Sequence, residues 1–259
     1  MTNEATRLLI KELLEEKYEQ YNRPEFIEDD PIAVPHQFSQ QNDIEIAAFL
    51  AATIAWGQRP MIVKKGMEMM QLMDYSPFEF VKFACKDDFA RLKKFIYRTF
   101  KDTDLVYFIG ALQKLINDYG TLGNSFKSFY EEKGNVYDLL VTFHCRFFQY
   151  KKPGRTQKHL SNPAKGSAAK RMNMMLRWMV RNDNRGVDFG LWQFIKPSAL
   201  YLPLDVHTAR ISRKLGILTR RSNDWRAVEE VSKVLQEFDT EDPAKYDFAL
   251  FGLGIFEKF

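Results

Sequence analysis

Apolar side chains recur along most of the chain at the spacing of one face of an α-helix. In 4–22 the apolar positions are Leu8, Leu9, Leu13 and Tyr18, and charged residues lie between them. The same periodicity predicts further helices over 44–56, 60–73, 87–100, 104–119, 124–133, 136–150 and 224–238. No alternating apolar and polar run of strand length accompanies them. The sequence therefore predicts an all-α protein, with two packed helical layers and a cleft between them.

Proline and capping residues mark where these helices begin and end. The segment 23–41 carries three prolines and is predicted to be an extended connector. The run Ser76-Pro77-Phe78-Glu79 has the form of a capping box with proline at the first helical position. We expect a single all-α fold over 1–259. A possible subdivision is a central bundle, 42–185, and a second helical layer, 1–41 with 186–259.

The cysteine and histidine content excludes several kinds of site. Cys85 and Cys145 are the two cysteines, so a disulfide scaffold and a four-thiolate iron–sulfur cluster are both excluded, and a reducing cytoplasm is expected. The four histidines show no metal-ligand spacing. There is no apolar run of membrane length and no basic-then-apolar leader. The sequence predicts a cytoplasmic monomer that uses no metal and no cofactor.

Positive charge is concentrated in one part of the chain, although the formal net charge is only +4. Between 151 and 185 there is a single acid, Asp183. The basic residues of this segment are Lys151, Lys152, Arg155, Lys158, Lys165, Lys170, Arg171, Arg177, Arg181 and Arg185. A solvated helix face usually carries both signs of charge. The excess of one sign favours a surface that binds a polyanion.

Two short runs in this region carry candidate chemistry, 166–170 and 202–207. Gly166 suits a sharp reversal because glycine tolerates a positive φ, and Ser167 is the expected N-cap of the next helix. In that helix, residues at core spacing form one stripe, whereas Lys170, Arg177 and Arg181 share a basic face. The residues of the core stripe are Met172, Met175, Leu176 and Met179.

The placement of Lys170 and Asp205 matters for reactivity. The positive end of a helix dipole disfavours the ammonium form of a lysine in the first turn. A deprotonated lysine amine can attack an electrophilic carbon. Asp205 follows an extended, proline-containing run and precedes a helix start at Val206. The sequence thus offers an amine at one helix N-terminus and a carboxylate at another.

This combination of a hairpin glycine, a lysine opening the next helix and an extended Pro-x-Asp-x-His resembles the helix-hairpin-helix DNA glycosylases. The resemblance implies that Lys170 attacks C1′ of a damaged nucleotide and that Asp205 assists departure of the base. It also implies that Gly166 is the hairpin glycine and that His207 is the histidine beyond the aspartate. The second hairpin glycine of that family is replaced by Ala168 here. Lys170 and Asp205 lie 35 residues apart, which requires an insertion around 183–197.

A weaker match covers 42–60, which resembles the early helix of that family. In the family this helix ends in polar residues that fill the gap left by an extruded base, and Gln58 and Arg59 occupy that place here. The resemblance implies a base-excision enzyme with possible lyase activity, acting on double-stranded DNA that contains a damaged base. A non-catalytic nucleic-acid-binding protein and an all-α scaffold for protein partners are the alternatives. The expected DNA contacts come from Gly166, Ser167, Ala168, Arg171, Arg177, Arg181, His207, Gln58 and Arg59.

Overall fold

The computed structural model describes residues 4–257 and 259, and over these residues the chain forms α-helices and short 3₁₀ turns with no β-strand. The predicted all-α class, built from packed helices, is confirmed. The α-helices in chain order are α1 (Glu4–Tyr21), α2 (Gln41–Thr53), α3 (Arg59–Leu72), α4 (Pro77–Phe83), α5 (Lys86–Arg91), α6 (Asp102–Tyr119), α7 (Leu122–Lys133), α8 (Val136–Phe147), α9 (Lys170–Val180), α10 (Val206–Lys214), α11 (Trp225–Phe238) and α12 (Tyr246–Ile255).

The chain divides into two compact units. We call residues 27–161 the central unit. Its core helix is α2, which is buried over 44–53 and packs against α3, α4 and α7. Phenylalanine rings join α2 to α6 and α8, because Phe49 lies 5.9 Å from Phe108 and 5.6 Å from Phe143 between ring centroids. These aromatic contacts account for the burial of all three helices along their apolar faces.

The second compact unit, called the terminal unit, consists of the described residues before 27 together with those from 162 onward. In this unit α12 packs against both α1 and α10. The predicted methionine stripe of α9 faces the core, since Met175 and Met179 are fully buried. The hairpin segment after 161 belongs with the chain ends, whereas the sequence-based subdivision assigned it to the central bundle.

The helix predicted over 87–100 is wrong in its second half. The α-helix ends at Arg91, and a 3₁₀ turn and a tight turn follow, in which Tyr97 and Phe100 exchange backbone hydrogen bonds of 2.9 Å. Phe95 and Phe100 are buried, whereas Ile96 is 57% exposed. These apolar residues therefore belong to a turn that places the rings of Phe95 and Phe100 in the core. Their spacing along the chain matches that of a helix by coincidence.

Two other local predictions are corrected by tertiary contacts. Ser76 makes no capping hydrogen bond with its side chain, and the carboxylate of Asp43 instead accepts a 3.0 Å bond from the Phe78 amide. The connector 23–41 is not extended, because it contains three 3₁₀ turns, and the two within 31–37 pack against α2 in a stretch where Ile32 and Val34 are buried. Within the described ranges, none of the helices combines the length and the apolar character needed to cross a bilayer.

Candidate functional site

The hairpin before α9 is built around Gly166. A 3₁₀ turn, Pro163–Lys165, is capped by the Asn162 side chain and ends at Gly166, whose φ is +80°. The predicted positive φ is confirmed. A helix-hairpin-helix motif has an α-helix before its hairpin. Here the segment directly before the hairpin forms 3₁₀ turns instead. The Gly166 carbonyl accepts a 3.1 Å bond from the Trp225 amide, which ties the hairpin to the start of α11.

The predicted N-cap at Ser167 is wrong, because α9 begins at Lys170 and not two residues earlier. Ala169 occupies the cap position with a left-handed backbone, φ 47° and ψ 33°. The Ser167 hydroxyl accepts a 3.2 Å hydrogen bond from the Ala169 amide. This bond stabilises the hairpin turn and does not cap α9. The correction places Lys170 at the first position of α9, where the helix dipole is strongest.

Asp205 is the N-cap of α10. Its Oδ1 accepts hydrogen bonds from the His207 amide at 2.8 Å and the Thr208 amide at 2.9 Å, and the Thr208 hydroxyl completes a capping box. The extended run before it is buried and is anchored where the Leu202 amide donates to the Ser232 hydroxyl at 3.0 Å. The two amide hydrogen bonds hold Oδ1 of Asp205 at the start of α10. The other carboxylate oxygen, Oδ2, is the one nearest to Lys170.

The fold brings the two predicted side chains together. The distance from Lys170 Nζ to Asp205 Oδ2 is 3.9 Å, and the two side chains keep 28% and 22% of their surface exposed. An amine and a carboxylate thus meet at the N-termini of α9 and α10, both within reach of a bound molecule. This pair, which we call the Lys–Asp pair, is the candidate reactive centre.

Asp247 in the first turn of α12 is a third ionisable group at this centre. Its side chain is 8% exposed and accepts a hydrogen bond from the Arg177 guanidinium. Burial raises the pKa of Asp247 to about 6, and the charge of Asp205 acts in the same direction, whereas Arg177 and Lys170 oppose the rise. The predicted catalytic residues, Lys170 and Asp205, did not include Asp247. The signal was an acid placed at the start of an otherwise apolar last helix.

The raised pKa of Asp247 predicts that low pH stabilises the native protein relative to an Asp247→Asn variant. The folded-state pKa lies above the value of about 3.9 in the unfolded chain, so the native state binds the proton more tightly. Its contribution is complete below about pH 4 and is lost as the pH rises through 6. The free energy of unfolding of the wild type, relative to the variant, should fall by about 3 kcal/mol across this window.

The check is urea denaturation of both proteins at pH 4, 5, 6 and 7. Asparagine matches aspartate in shape and does not titrate, so the difference between the two curves isolates this carboxyl group. A difference in the free energy of unfolding that stays constant from pH 4 to 7 would contradict the prediction.

Arg177 and Arg181 do not form the basic DNA-binding face that the sequence predicted. Arg177 is 3% exposed and Arg181 is fully buried. Arg177 pairs with Asp247 and approaches Asp188 at 3.3 Å through Nε, and the ring of Phe248 lies 4.2 Å from its guanidinium. Guanidinium groups enclosed in this way cannot reach the phosphates of a duplex. Helical periodicity placed them on one face, but that face is covered by α12.

Arg181 is the centre of a network of buried charges in the terminal unit. It forms ion pairs with Asp188, with Asp183 at 3.0 Å and with Asp242 at 2.8 Å. Burial opposes the ionised form, but the charges of Asp188 and Asp242 hold the pKa of Arg181 well above its usual range. Two of these acids, Asp183 and Asp188, come from the inserted segment 183–197, and Trp192 of the same segment is buried. The insertion therefore contributes buried side chains to the core of the terminal unit.

The remaining predicted DNA contacts lie at or near the surface. Gly166 and His207 are exposed, and Ser167 and Ala168 are half-buried beside them in sequence. Arg171 is half-buried, and burial lowers the pKa of its guanidinium to about 10, so it stays charged at neutral pH. In the central unit, Gln58 is exposed and precedes α3, and Arg59 is its half-buried first residue.

The structure adds a basic loop that sequence reasoning missed. Ser167 pairs with Asp224 through an isolated bridge, which places the loop before α11 next to the hairpin. Arg221 and Arg226 are exposed on either side of this contact. The basic segment 151–185 does not reveal them, because they lie further along the chain. Basic groups at the hairpin therefore come from two separate segments.

No group of three or more histidine, cysteine or acidic side chains among the described residues is arranged to hold a metal ion. A family model described as a protein of unknown function (DUF2400) matches residues 30–256. This match covers the helices of the central unit, the hairpin, the Lys–Asp pair and α12. No curated protein and no solved structure matches the chain.

Proposed function

This chain belongs to the DUF2400 family, and we propose that it is a DNA glycosylase-like base-excision enzyme with lyase activity. The observation that carries the proposal is the 3.9 Å separation of Lys170 Nζ and Asp205 Oδ2. A nucleophilic amine needs a neighbouring group that handles charge and protons, and the carboxylate of Asp205 lies close enough to Lys170 to form an ion pair with it. The resemblance of the hairpin segment to helix-hairpin-helix glycosylases agrees with this arrangement.

The proposed reaction uses Lys170 as the nucleophile. In its neutral form, the Nζ lone pair bonds to C1′ while the bond from C1′ to the damaged base breaks, and the base leaves with that electron pair and takes up a proton. Asp205 stabilises the positive charge that develops on the sugar. The attached Nζ gives a proton to the departing base, and its lone pair then opens the C1′–O4′ bond, so that O4′ takes up a proton from water and an iminium forms between C1′ and Nζ. This Schiff base permits elimination of the 3′ phosphate, which accounts for strand cleavage.

The surface around the hairpin supports a duplex as the partner. Lys165 and Gly166 are exposed, and Arg221 and Arg226 extend the positive charge. Contacts of amides and basic side chains with phosphates would position the duplex without reading its sequence. The reacting C1′ lies inside the stack, so the target nucleotide must be extruded before Lys170 can reach it.

Borohydride trapping tests the proposal. Duplexes that carry oxidised or alkylated bases, or an abasic site, are incubated with the protein in the presence of borohydride, which reduces an iminium to a stable amine. We expect a covalent protein–DNA adduct with at least one substrate and none with Lys170→Ala. Lys165→Ala is the matched control, because it removes an exposed hairpin lysine. It should weaken binding and still form the adduct at saturating protein.

The second candidate is a nucleic-acid-binding protein without catalysis. It is favoured by the role of Asp205 as the N-cap of α10, since capping alone explains an aspartate at that position. Salt-dependent duplex binding with no adduct on any substrate, and equal binding by Lys170→Ala, would select this function and reject the enzyme.

A further inference from the structure

The central unit contains a cavity of about 330 Å³ that the proposed reaction does not use. It opens between the first turn of α6 and the residues that follow α8. This volume is at the lower end of the range for small-molecule sites, about 300–1,000 Å³. Its walls combine positive charge with aromatic surface. The residues that define this cavity, called the lysine–tyrosine cavity, are Lys93, Thr103, Tyr107, Tyr150, Lys151 and Lys152.

The aromatic wall is held by specific contacts. The Tyr107 hydroxyl donates a 2.5 Å hydrogen bond to the Lys151 carbonyl, and the rings of Tyr107 and Tyr150 meet edge to face at 5.6 Å. Tyr150 packs over Gly110 of α6, where a Cβ atom would lie 2.6 Å from the tyrosine hydroxyl oxygen. Tyr150 nevertheless keeps 43% of its surface exposed. The wall is therefore positioned by the fold and still has aromatic surface available for stacking.

The side chains that line the cavity carry more positive than negative charge. Lys93, Lys151 and Lys152 are exposed, and within the described residues no ion pair joins any of them to a carboxylate. Other lysines of the same unit are paired, as Lys114 is with Asp118 at 2.6 Å. Asp102 is the one acid that lines the cavity. Three ammonium groups against one carboxylate leave an excess of positive charge, to which the N-terminus of α6 adds its dipole.

We propose that the lysine–tyrosine cavity binds one nucleotide. The three lysines and the Thr103 hydroxyl hold the phosphate, and the base stacks on Tyr150, as bases stack on exposed aromatic side chains in single-strand-binding proteins. The Asp102 carboxylate accepts a hydrogen bond from a sugar hydroxyl. Aromatic stacking tolerates any base, so the site selects for the nucleotide and not for its sequence. The inference does not depend on the Lys–Asp pair or on damaged DNA.

A nucleotide can reach this cavity free in solution or as part of a strand, and calorimetric titration of the full chain distinguishes the two. The probes are deoxyadenosine monophosphate, deoxyadenosine, inorganic phosphate and an undamaged ten-nucleotide deoxyadenosine strand. The monophosphate should bind at least about tenfold more tightly than the nucleoside or inorganic phosphate, because each of those lacks one of the two recognised parts. Tighter binding of the strand that is weakened by Lys151→Glu/Lys152→Glu would identify a nucleotide within nucleic acid, and equal binding of strand and monophosphate would identify a free nucleotide.

Two variants and a matched control locate the site. Lys151→Glu/Lys152→Glu should weaken monophosphate binding at least about tenfold, since two attractive charges become repulsive. The control, Lys64→Glu/Lys86→Glu, makes the same charge change at exposed positions outside the cavity and should bind as the wild type does. Gly110→Ala keeps every charge and displaces Tyr150, so the affinity for the monophosphate should fall to that for inorganic phosphate.

Circular dichroism of each variant shows that it is folded before titration. The proposal is overturned if the wild type binds neither the monophosphate nor the strand at millimolar concentration, or if inorganic phosphate binds as tightly as the monophosphate. It is also overturned if the cavity variant and the control lose affinity equally. Because undamaged probes are used, failure of this proposal leaves the trapping experiment on Lys170 unaffected, and the reverse also holds.

Discussion

Replacing Arg181 by alanine should lower the free energy of unfolding by about 3 to 5 kcal/mol, the cost of breaking a buried ion pair from one side. Arg181 is fully buried and pairs with three aspartates. Without it, the buried Asp188 carboxylate keeps only its 3.3 Å contact with Arg177. The large loss comes from the carboxylates left without a partner, rather than from the arginine itself.

Urea denaturation measures this effect, and Arg7→Ala provides the control. Arg7 also pairs with a carboxylate in the terminal unit, that of Glu237, but its side chain is 37% exposed. An exposed pair contributes little, so Arg7→Ala should cost less than about 1 kcal/mol. Arg181→Lys retains the charge, but its single ammonium group cannot satisfy three carboxylates, so it should recover only part of the loss. A loss below about 1 kcal/mol for Arg181→Ala would show that the network is not stabilising.

Asp205→Asn should reduce adduct formation at least about 100-fold while leaving stability nearly unchanged, because asparagine caps a helix as well as aspartate does. The Asn carbonyl oxygen can accept the same two amide hydrogen bonds, from His207 and Thr208. The negative charge 3.9 Å from Lys170 Nζ is lost. Asp205→Ala should lose both the helix cap and the formation of the adduct. The missing cap should lower the free energy of unfolding by about 1 kcal/mol.

Single-turnover trapping and urea denaturation, applied to both variants, separate capping from catalysis. The enzyme proposal requires the two variants to be equally inactive and different in stability. If Asp205→Asn forms the adduct at the wild-type rate, Asp205 is a helix cap only and the proposed assistance to base departure is wrong.

Local pattern was enough to determine the all-α class and most of the helices. The stripe of Met175 and Met179 is buried as the periodicity predicts, and Gly166 takes the positive φ expected of a hairpin glycine. The resemblance to helix-hairpin-helix glycosylases implied that Lys170 and Asp205 act on one nucleotide, and the fold places them 3.9 Å apart. The helices and the hairpin depend on neighbours within a few residues, so the local sequence encodes them.

Tertiary structure decided which charged groups are buried in ion pairs and which are exposed to a binding partner. Arg181 looks like a surface residue in sequence, yet its partner Asp242 lies 61 residues away and encloses it in the core. Only the folded chain buries Asp247 beside Arg177 and thereby raises the pKa of its carboxyl group. The sequence by itself determined the all-α class, most of the helices and the hairpin glycine. Only the folded chain decided the burial and pairing of charges, because these depend on contacts between distant segments that periodicity does not encode.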